Sequence, residues 1–349
     1  MRLRKATRLP ALLLLVLALP LATGEIYLRA TGKYMTWSER SYGQYSSMAE
    51  NLDSWFPTRK PFFVEWYDNR EFRFPLATNS LGVRDVEHPR EKPGNEFRVA
   101  VLGDSYTEGV GAAVEDAWFR RLEEKLNRRA DPGTSFLVLS GAVAGSDPFY
   151  CFQMLKQKIL DYRPDLVILA LGENDVVDVA RRGGMERFRP DGTVRIPSPI
   201  PAEWLFARSR LYRFVLLGIL GRNEYLFTPR EFEERMALAI VELAGLSARY
   251  QDLCRDHGAA FAVAVFPQKE NLEGKGYTPG FTLLVGRLEA SGAPVLDLFP
   301  SFREAMGQGA EVANLYWPVD RHFQAQGYEV FASAVADGLV REGLVPLSP

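Results

Sequence analysis

The chain has 349 residues, of which 47% are hydrophobic and 25% charged, with a net charge of -2 at pH 7. That length and apolar content support one large globular α/β domain with an appendage and exclude a disordered chain. A nearly balanced charge, with no basic tract in the folded part, excludes nucleic acid as a partner.

Residues 1–28 carry Arg2, Arg4, Lys5 and Arg8 ahead of an apolar run from Leu9 to Ala22. A basic start followed by a short apolar run is the pattern of an export signal or an N-terminal membrane anchor. The run is shorter than the roughly 17 to 25 residues of a comfortable single span, unless Ile26 and Tyr27 extend it past Gly24 and Glu25. Ala22-Thr23-Gly24 also fits a small-residue cleavage site, so both readings stand, and either places the remaining chain outside the cytoplasmic membrane. Residues 29–95 read as an N-terminal extension, rich in aromatics from Arg29 to Pro75. Trp55-Phe56-Pro57, Pro61-Phe62-Phe63 and Trp66-Tyr67 either cover a sheet edge or line a substrate entrance. Glu87 to Asn95, with Pro89, Pro93 and Gly94, is the polar loop ahead of the main domain at 96–345.

The run Phe97 to Leu102 leads into Gly103-Asp104-Ser105. A buried strand that ends in a sharp turn lifts one serine off the strand end, which makes Ser105 the candidate nucleophile. Gly109 and Gly111 lead to a helix from Glu115 to Arg128 with Trp118, Leu122 and Leu126 on one face. No Gly-Lys-Ser/Thr opens this helix, so the turn is not a phosphate loop of the common type. Phe136 to Leu139 is a second strand, followed by Ser140-Gly141-Ala142-Val143-Ala144-Gly145, whose glycines let a backbone N–H approach a bound oxygen. A helix from Phe149 to Tyr162 precedes the wholly apolar run Leu166 to Leu171, a strand buried on both faces. It ends in Gly172-Glu173-Asn174-Asp175, so Asn174 stands where open α/β sheets keep their sites.

The pattern breaks at an insertion, about 177–228. Within it Glu203 to Leu220 reads as an amphipathic helix, with Trp204, Leu211, Val215 and Ile219 on one side and Arg208, Arg210 and Arg213 elsewhere. Packing on its own domain, closing as a lid and lying on a membrane surface are its three readings. Thr228-Pro229-Arg230-Glu231 is a capping box that opens a long helix ending at Gly258. Ala259 to Phe266 and Val295 to Leu298 supply two more strands, and Gly327 to Leu339 a last helix. After the first of these strands, Lys269 is either a contact for an anionic substrate or a solvated lysine. Strands alternating with helices require right-handed crossovers and a parallel sheet, giving a three-layer α/β/α sandwich of about five strands.

The chain holds three histidines and two cysteines. His88 lies in the polar loop and His257 at a helix end, where a cation favours the dipole. His322 alone stands beside a carboxylate, Asp320, in a strand-end setting. A serine hydroxyl needs a base and an orienter for that base, and this pair supplies both. Cys151 and Cys254 sit in helical patterns as small buried hydrophobes, with a bridge between them as the alternative. No grouping has metal-ligand spacing, so neither a metal nor a cofactor is expected.

Four blocks in order, namely Gly103-Asp104-Ser105, a glycine after the second strand, Gly172-Glu173-Asn174-Asp175, and an Asp and His near the C-terminus, resemble the SGNH (GDSL) hydrolase family. Asn79 to Arg84, NSLGVR, resembles its membrane-anchored bacterial members. The resemblance implies a flavodoxin-like fold and an extracytoplasmic serine esterase or deacylase with Ser105 as nucleophile, His322 as base and Asp320 as orienter. It implies an oxyanion hole made by the N–H groups of Ser105 and Gly145 and the Asn174 amide. Its implied partners are an acylated carbohydrate or lipid and, through the N-terminal segment, the membrane. An O-acyltransferase with the same triad, and a non-catalytic glycan-binding or envelope scaffold protein, are the alternatives. Two positions depart from the family pattern. The carboxylate stands two residues before the histidine instead of three, with Val319 in the usual place, and Ser140 replaces the usual Asn, which favours Gly145 over Gly141.

Overall fold

The computed structural model describes residues 8–35, 58–189, 194–195, 200–223 and 226–347. The chain divides into two compact units, one of residues 1–52 and 196–233 and the other of residues 53–195 and 234–349.

The strands of the larger unit are, in chain order, β1 (Val64–Asp68), β2 (Arg73–Ala77), β3 (Glu96–Leu102), β4 (Ser135–Ser140), β5 (Leu166–Leu171), β6 (Ala260–Val265) and β7 (Val295–Asp297). The last five form one parallel sheet in the order β4-β3-β5-β6-β7, the flavodoxin-like winding. Every residue of the central strand β5 is buried, as a strand covered on both faces requires. Its register with β3 runs from Val99 opposite Leu166 to Leu102 opposite Leu169, so β5 extends through Ala170 and Leu171 past the end of β3. The winding reverses between β3 and β5, so the turns after them flank the crevice where such sheets bind ligands.

Helices cover the sheet with faces that the sequence spacing dictates. Trp118, Leu122 and Leu126 of helix Trp118–Arg129 are fully buried and pack with Phe331, Val335 and Leu339 of helix Ala325–Arg341 against Val99, Val101 and Ile168. The Trp118 and Phe331 rings stack 4.6 Å apart. Burial of each such side chain contributes about 1.5–3 kcal/mol, so this one layer anchors the sheet. The helix predicted over Phe149–Tyr162 is regular only over Pro148–Met154, then widens into a π-helical turn and tightens into a 3-10 turn. Cys151 and Cys254 are both free and buried, so the bridge alternative is set aside.

Two of the described aromatics of residues 61–67 face solvent instead of covering a sheet edge. Phe62 and Trp66 are 70% and 60% exposed. Tyr67 stacks on Phe74 at 4.9 Å, within an antiparallel hairpin of β1 and β2. Trp55, Phe56 and Pro57 lie outside the described residues.

The smaller unit departs from the single amphipathic helix predicted over Glu203–Leu220. The helix breaks at Ser209, whose hydroxyl caps a new turn by accepting from Tyr212 N at 3.1 Å. Burial is the reverse of the expected pattern: Arg210 and Arg213 are buried, whereas Trp204 and Ile219 are 52% and 63% exposed. The cause is the C-terminus of helix Arg8–Ala30, whose last carbonyls lack partners within the helix. Arg210 Nη1 donates to Leu28 O at 3.2 Å, and Arg213 Nη1 to Tyr34 O at 2.9 Å. In return, the Glu25 carboxylate accepts from Ser209 Oγ at 2.9 Å and Leu211 N at 2.8 Å. Among the described residues no helix is long and apolar enough to cross a membrane.

Candidate active site

β3 passes into a single helical turn, Ser105–Glu108, capped by Asp104, whose Oδ1 accepts from Tyr106 N at 2.9 Å. Space dictates the glycine before it, since a Cβ on Gly103 would lie 2.2 Å from Thr107 Oγ1. Arg84, from the NSLGVR stretch, is buried beneath this turn. Its guanidinium donates to Glu108 O, the last carbonyl of the short helix, at 3.3 Å, and to Gly109 O and Ala112 O beyond it, both at 2.7 Å.

His322 Nε2 lies 2.7 Å from Ser105 Oγ, and its Nδ1 makes a short hydrogen bond to Asp320 Oδ1. Asp320 and His322 are both buried. Arg321 between them takes a left-handed φ of 72°, rare outside glycine, which lets side chains only two residues apart meet. Arg321 N donates to Trp317 O at 3.1 Å and Trp317 N to His322 O at 2.9 Å, closing the turn. Tyr106 Oη donates to Arg321 O at 3.2 Å. Two residues that sequence reasoning passed over also reach the turn. Asn69 Nδ2 donates to Asp320 Oδ2 at 3.0 Å, and the Glu71 carboxylate accepts from Val319 N at 2.9 Å and from Asp320 N. Their partners lie some 250 positions away in the sequence, so no local signal marks either residue.

Asn174 sits in the first turn of helix Glu173–Arg182. Its Nδ2 donates to Asp104 Oδ2, and its Oδ1 accepts from Gln268 Nε2 at 2.8 Å. Asn174 is thereby tied to the residue preceding Ser105. Burial pushes the Asp104 carboxyl up to about 6, against the opposing pull of the Tyr106 N–H and the Asn174 amide. Burial, and then the nearby Asp104, also push the Asp175 carboxyl well up.

The loop after β4 reaches the same turn, with Ser146 Oγ donating to Gly103 O at 3.0 Å. Gly145 in this loop is exposed and takes a φ of 78°. Among the described residues its N–H donates to no protein group. Its carbonyl accepts from Arg182 Nη1 at 2.7 Å. Behind it, buried Asp147 pairs with Arg182 at 3.1 Å and binds Arg187 Nη2 through both oxygens at 2.7 Å. Burial raises the Asp147 carboxyl, but Arg187 and Arg182 outweigh it and hold the group below the ordinary carboxylate range. Gly141 is instead a packing position, where a Cβ would lie 2.8 Å from Leu102 Cδ2. Ser140 Oγ is turned to the backbone and accepts from Ala142 N at 3.2 Å.

Ser105, His322 and Asp320 thus form one hydrogen-bonded series, and Asn174 and the Gly145 loop attach to the residues just before the serine. Lys269 is not simply solvated: it donates to Pro318 O at 2.9 Å and ties the β6 loop to the histidine segment. His88 pairs with Asp85 at 3.1 Å, and His257 Nδ1 lies 2.9 Å from the helix-end carbonyl of Leu253. A cavity of about 500 Å³ adjoins Asn174 and Gln268, walled by Val177, Met236, Ile240 and Phe281. Among the described residues no group of His, Cys, Asp and Glu could hold a metal. A hydroxyl 2.7 Å from an imidazole, with a buried carboxylate behind the ring, has the geometry of an activated serine.

Solved structures with a similar fold include TesA, at 18% identity over 71% of this chain and 99% of TesA, with a TM-score of 0.40. A two-domain esterase, CEX, active on acetylated mannans, is 13% identical over 73% of this chain and 52% of its own, with a TM-score of 0.44. Axe2, an acetylxylan esterase from Geobacillus stearothermophilus, is 15% identical over 70% of this chain and 94% of its own, with a TM-score of 0.41. No curated protein matches the chain. The family model described as GDSL-like Lipase/Acylhydrolase matches residues 101–330, across the turn that carries Ser105, the loop of Gly145, Asn174 and the segment of His322. The chain belongs to the GDSL-like lipase/acylhydrolase family and is an ester-bond hydrolase with a serine nucleophile.

Proposed function

We propose that the protein is an extracytoplasmic serine esterase or deacylase that removes an O-acyl group from envelope carbohydrate or lipid. His322 Nε2 accepts the Ser105 proton as Oγ attacks the ester carbonyl. Asp320 holds the imidazole with its proton on Nδ1 and stabilises the imidazolium that forms. The oxyanion is held by the N–H groups of Ser105 and Gly145 and by the Asn174 amide hydrogen that Asp104 does not take. The imidazolium returns its proton to the leaving alcohol. Water, deprotonated by the same imidazole, then attacks the acyl-enzyme and releases the carboxylic acid with Ser105 restored.

The observation that carries this reading is the 2.7 Å contact between His322 Nε2 and Ser105 Oγ, backed by Asp320. The basic residues before Leu9 to Ala22 support the location outside the cytoplasmic membrane. The cavity beside Asn174, about 500 Å³, lies within the usual size range of small-molecule sites and supports a substrate larger than a bare acetyl group.

The test is release of acetate from an acetylated xylo-oligosaccharide by the full chain, with and without an unacetylated sugar acceptor. Acetate release that the acceptor does not suppress supports hydrolysis. Acetyl groups that appear only on the acceptor would make the protein a transferase, and equal release by Ser105→Ala would remove the serine from the chemistry.

A further inference from the structure

We propose that the tip of the β1–β2 hairpin, through Asn69 and Glu71, is a positioning device that makes the shortened Asp320–His322 spacing workable. The inference rests on the esterase reading and assigns a role to a segment that the proposed chemistry does not use.

The two oxygens of Asp320 face different partners. Oδ1 faces His322 Nδ1, and Oδ2 accepts from Asn69 Nδ2 at 3.0 Å. The torsion that turns a carboxylate about its Cβ–Cγ bond is broad, so one hydrogen bond leaves the plane loosely set. A second donor on the other oxygen fixes the plane, and with it the direction in which Oδ1 meets the imidazole. Asn69 is itself held in one orientation. Its Oδ1 accepts from Glu71 N and Phe72 N, both at 2.8 Å, so its amide hydrogens have only the Asp320 side to face.

Glu71 acts on the backbone of the same turn. Its carboxylate accepts from Val319 N at 2.9 Å and from the adjacent Asp320 N. The left-handed backbone of Arg321 that follows is strained, and such conformations persist only where neighbours over-determine them. Glu71 on one side and the Tyr106 hydroxyl, donating to Arg321 O at 3.2 Å, on the other supply that determination. Aromatic contacts brace the hairpin. Tyr67, Phe72 and Phe74 stack on one another, and Phe72 meets Trp317, the first residue of the turn, at 5.2 Å.

The test uses the full chain and the variants Asn69→Leu, Glu71→Gln and Glu71→Gln/Arg321→Gly. It reads kcat and KM on p-nitrophenyl acetate, thermal unfolding, and the far-downfield proton resonance of the His322–Asp320 hydrogen bond. Asn69→Leu should lower kcat about 10- to 100-fold, as small misplacements of catalytic groups do, with KM nearly unchanged and the resonance lost or shifted. Glu71→Gln should lose activity in the same sense, and Arg321→Gly should restore part of it because glycine adopts the left-handed conformation without strain. Unchanged kcat with the resonance in place would overturn the proposal, as would a loss confined to KM or one that Arg321→Gly does not relieve. If wild type leaves the ester intact, the esterase reading fails. The resonance still decides the hairpin question: its loss in Asn69→Leu supports the positioning role, and its persistence rejects it.

Discussion

Gln268 Nε2 donates to Asn174 Oδ1 at 2.8 Å, which turns the Asn174 amide hydrogens toward Asp104 and the serine turn. In the proposed mechanism Asn174→Ala removes an oxyanion donor, and it should raise the barrier by about 2.7–4 kcal/mol, a loss of roughly 10²–10³ in kcat. Gln268→Leu keeps the amide but frees its orientation, so its loss should be smaller. Gln268→Glu offers an acceptor where a donor stood and should turn the amide over, with a larger loss than Gln268→Leu. Steady-state kinetics on one ester substrate checks the order of the three variants.

Two buried aspartates, Asp104 and Asp175, and the half-buried Asp178 should make stability depend on pH in the direction opposite to that of ordinary paired carboxylates. Burial raises the carboxyls of Asp104, to about 6, and of Asp175 and Asp178. An acid with a raised folded pKa keeps its proton longer in the folded state, so stability falls as pH rises through the window between the unfolded and folded values. For Asp104 that window runs from about 4 to 6. Asp147, held low, acts with the opposite sign below this window. Thermal unfolding should therefore show Tm falling from pH 4 to 6, and Asp104→Asn should flatten that slope. A Tm that rises across the window in wild type contradicts the assignment.

Arg187 and Asp147 form a buried pair behind the Gly145 loop. Removing one partner leaves a buried charge short of its main counterion, a loss of about 3–5 kcal/mol. Arg187→Met should lower the urea midpoint accordingly, and adding Asp147→Leu should recover part of the loss. A double variant no more stable than the single one would show that charge burial is not the cause.

Much of the fold was legible because its strands are nearly continuous apolar runs. β5 matches the run Leu166 to Leu171, and the Trp118, Leu122, Leu126 spacing marks the face that is buried. Ser105, Asn174 and His322 could be singled out because each follows a strand-end or turn signal that local chemistry imposes. Asn69, Glu71 and Gln268 could not, since each is a polar loop residue whose meaning lies in a partner distant in sequence. The segment Glu203–Leu220 misled for a related reason. Its periodicity suggested an apolar inner face, but the helix-end carbonyls at Leu28 and Arg29 draw Arg210 inward. Hydropathy alone does not record that demand for donors.

The most direct test is labelling of the full chain with a fluorophosphonate, followed by mass mapping of the adduct. One adduct on Ser105 is expected in wild type, much slower labelling in His322→Ala and none in Ser105→Ala. An unlabelled wild type, or an adduct that persists in Ser105→Ala, would contradict it.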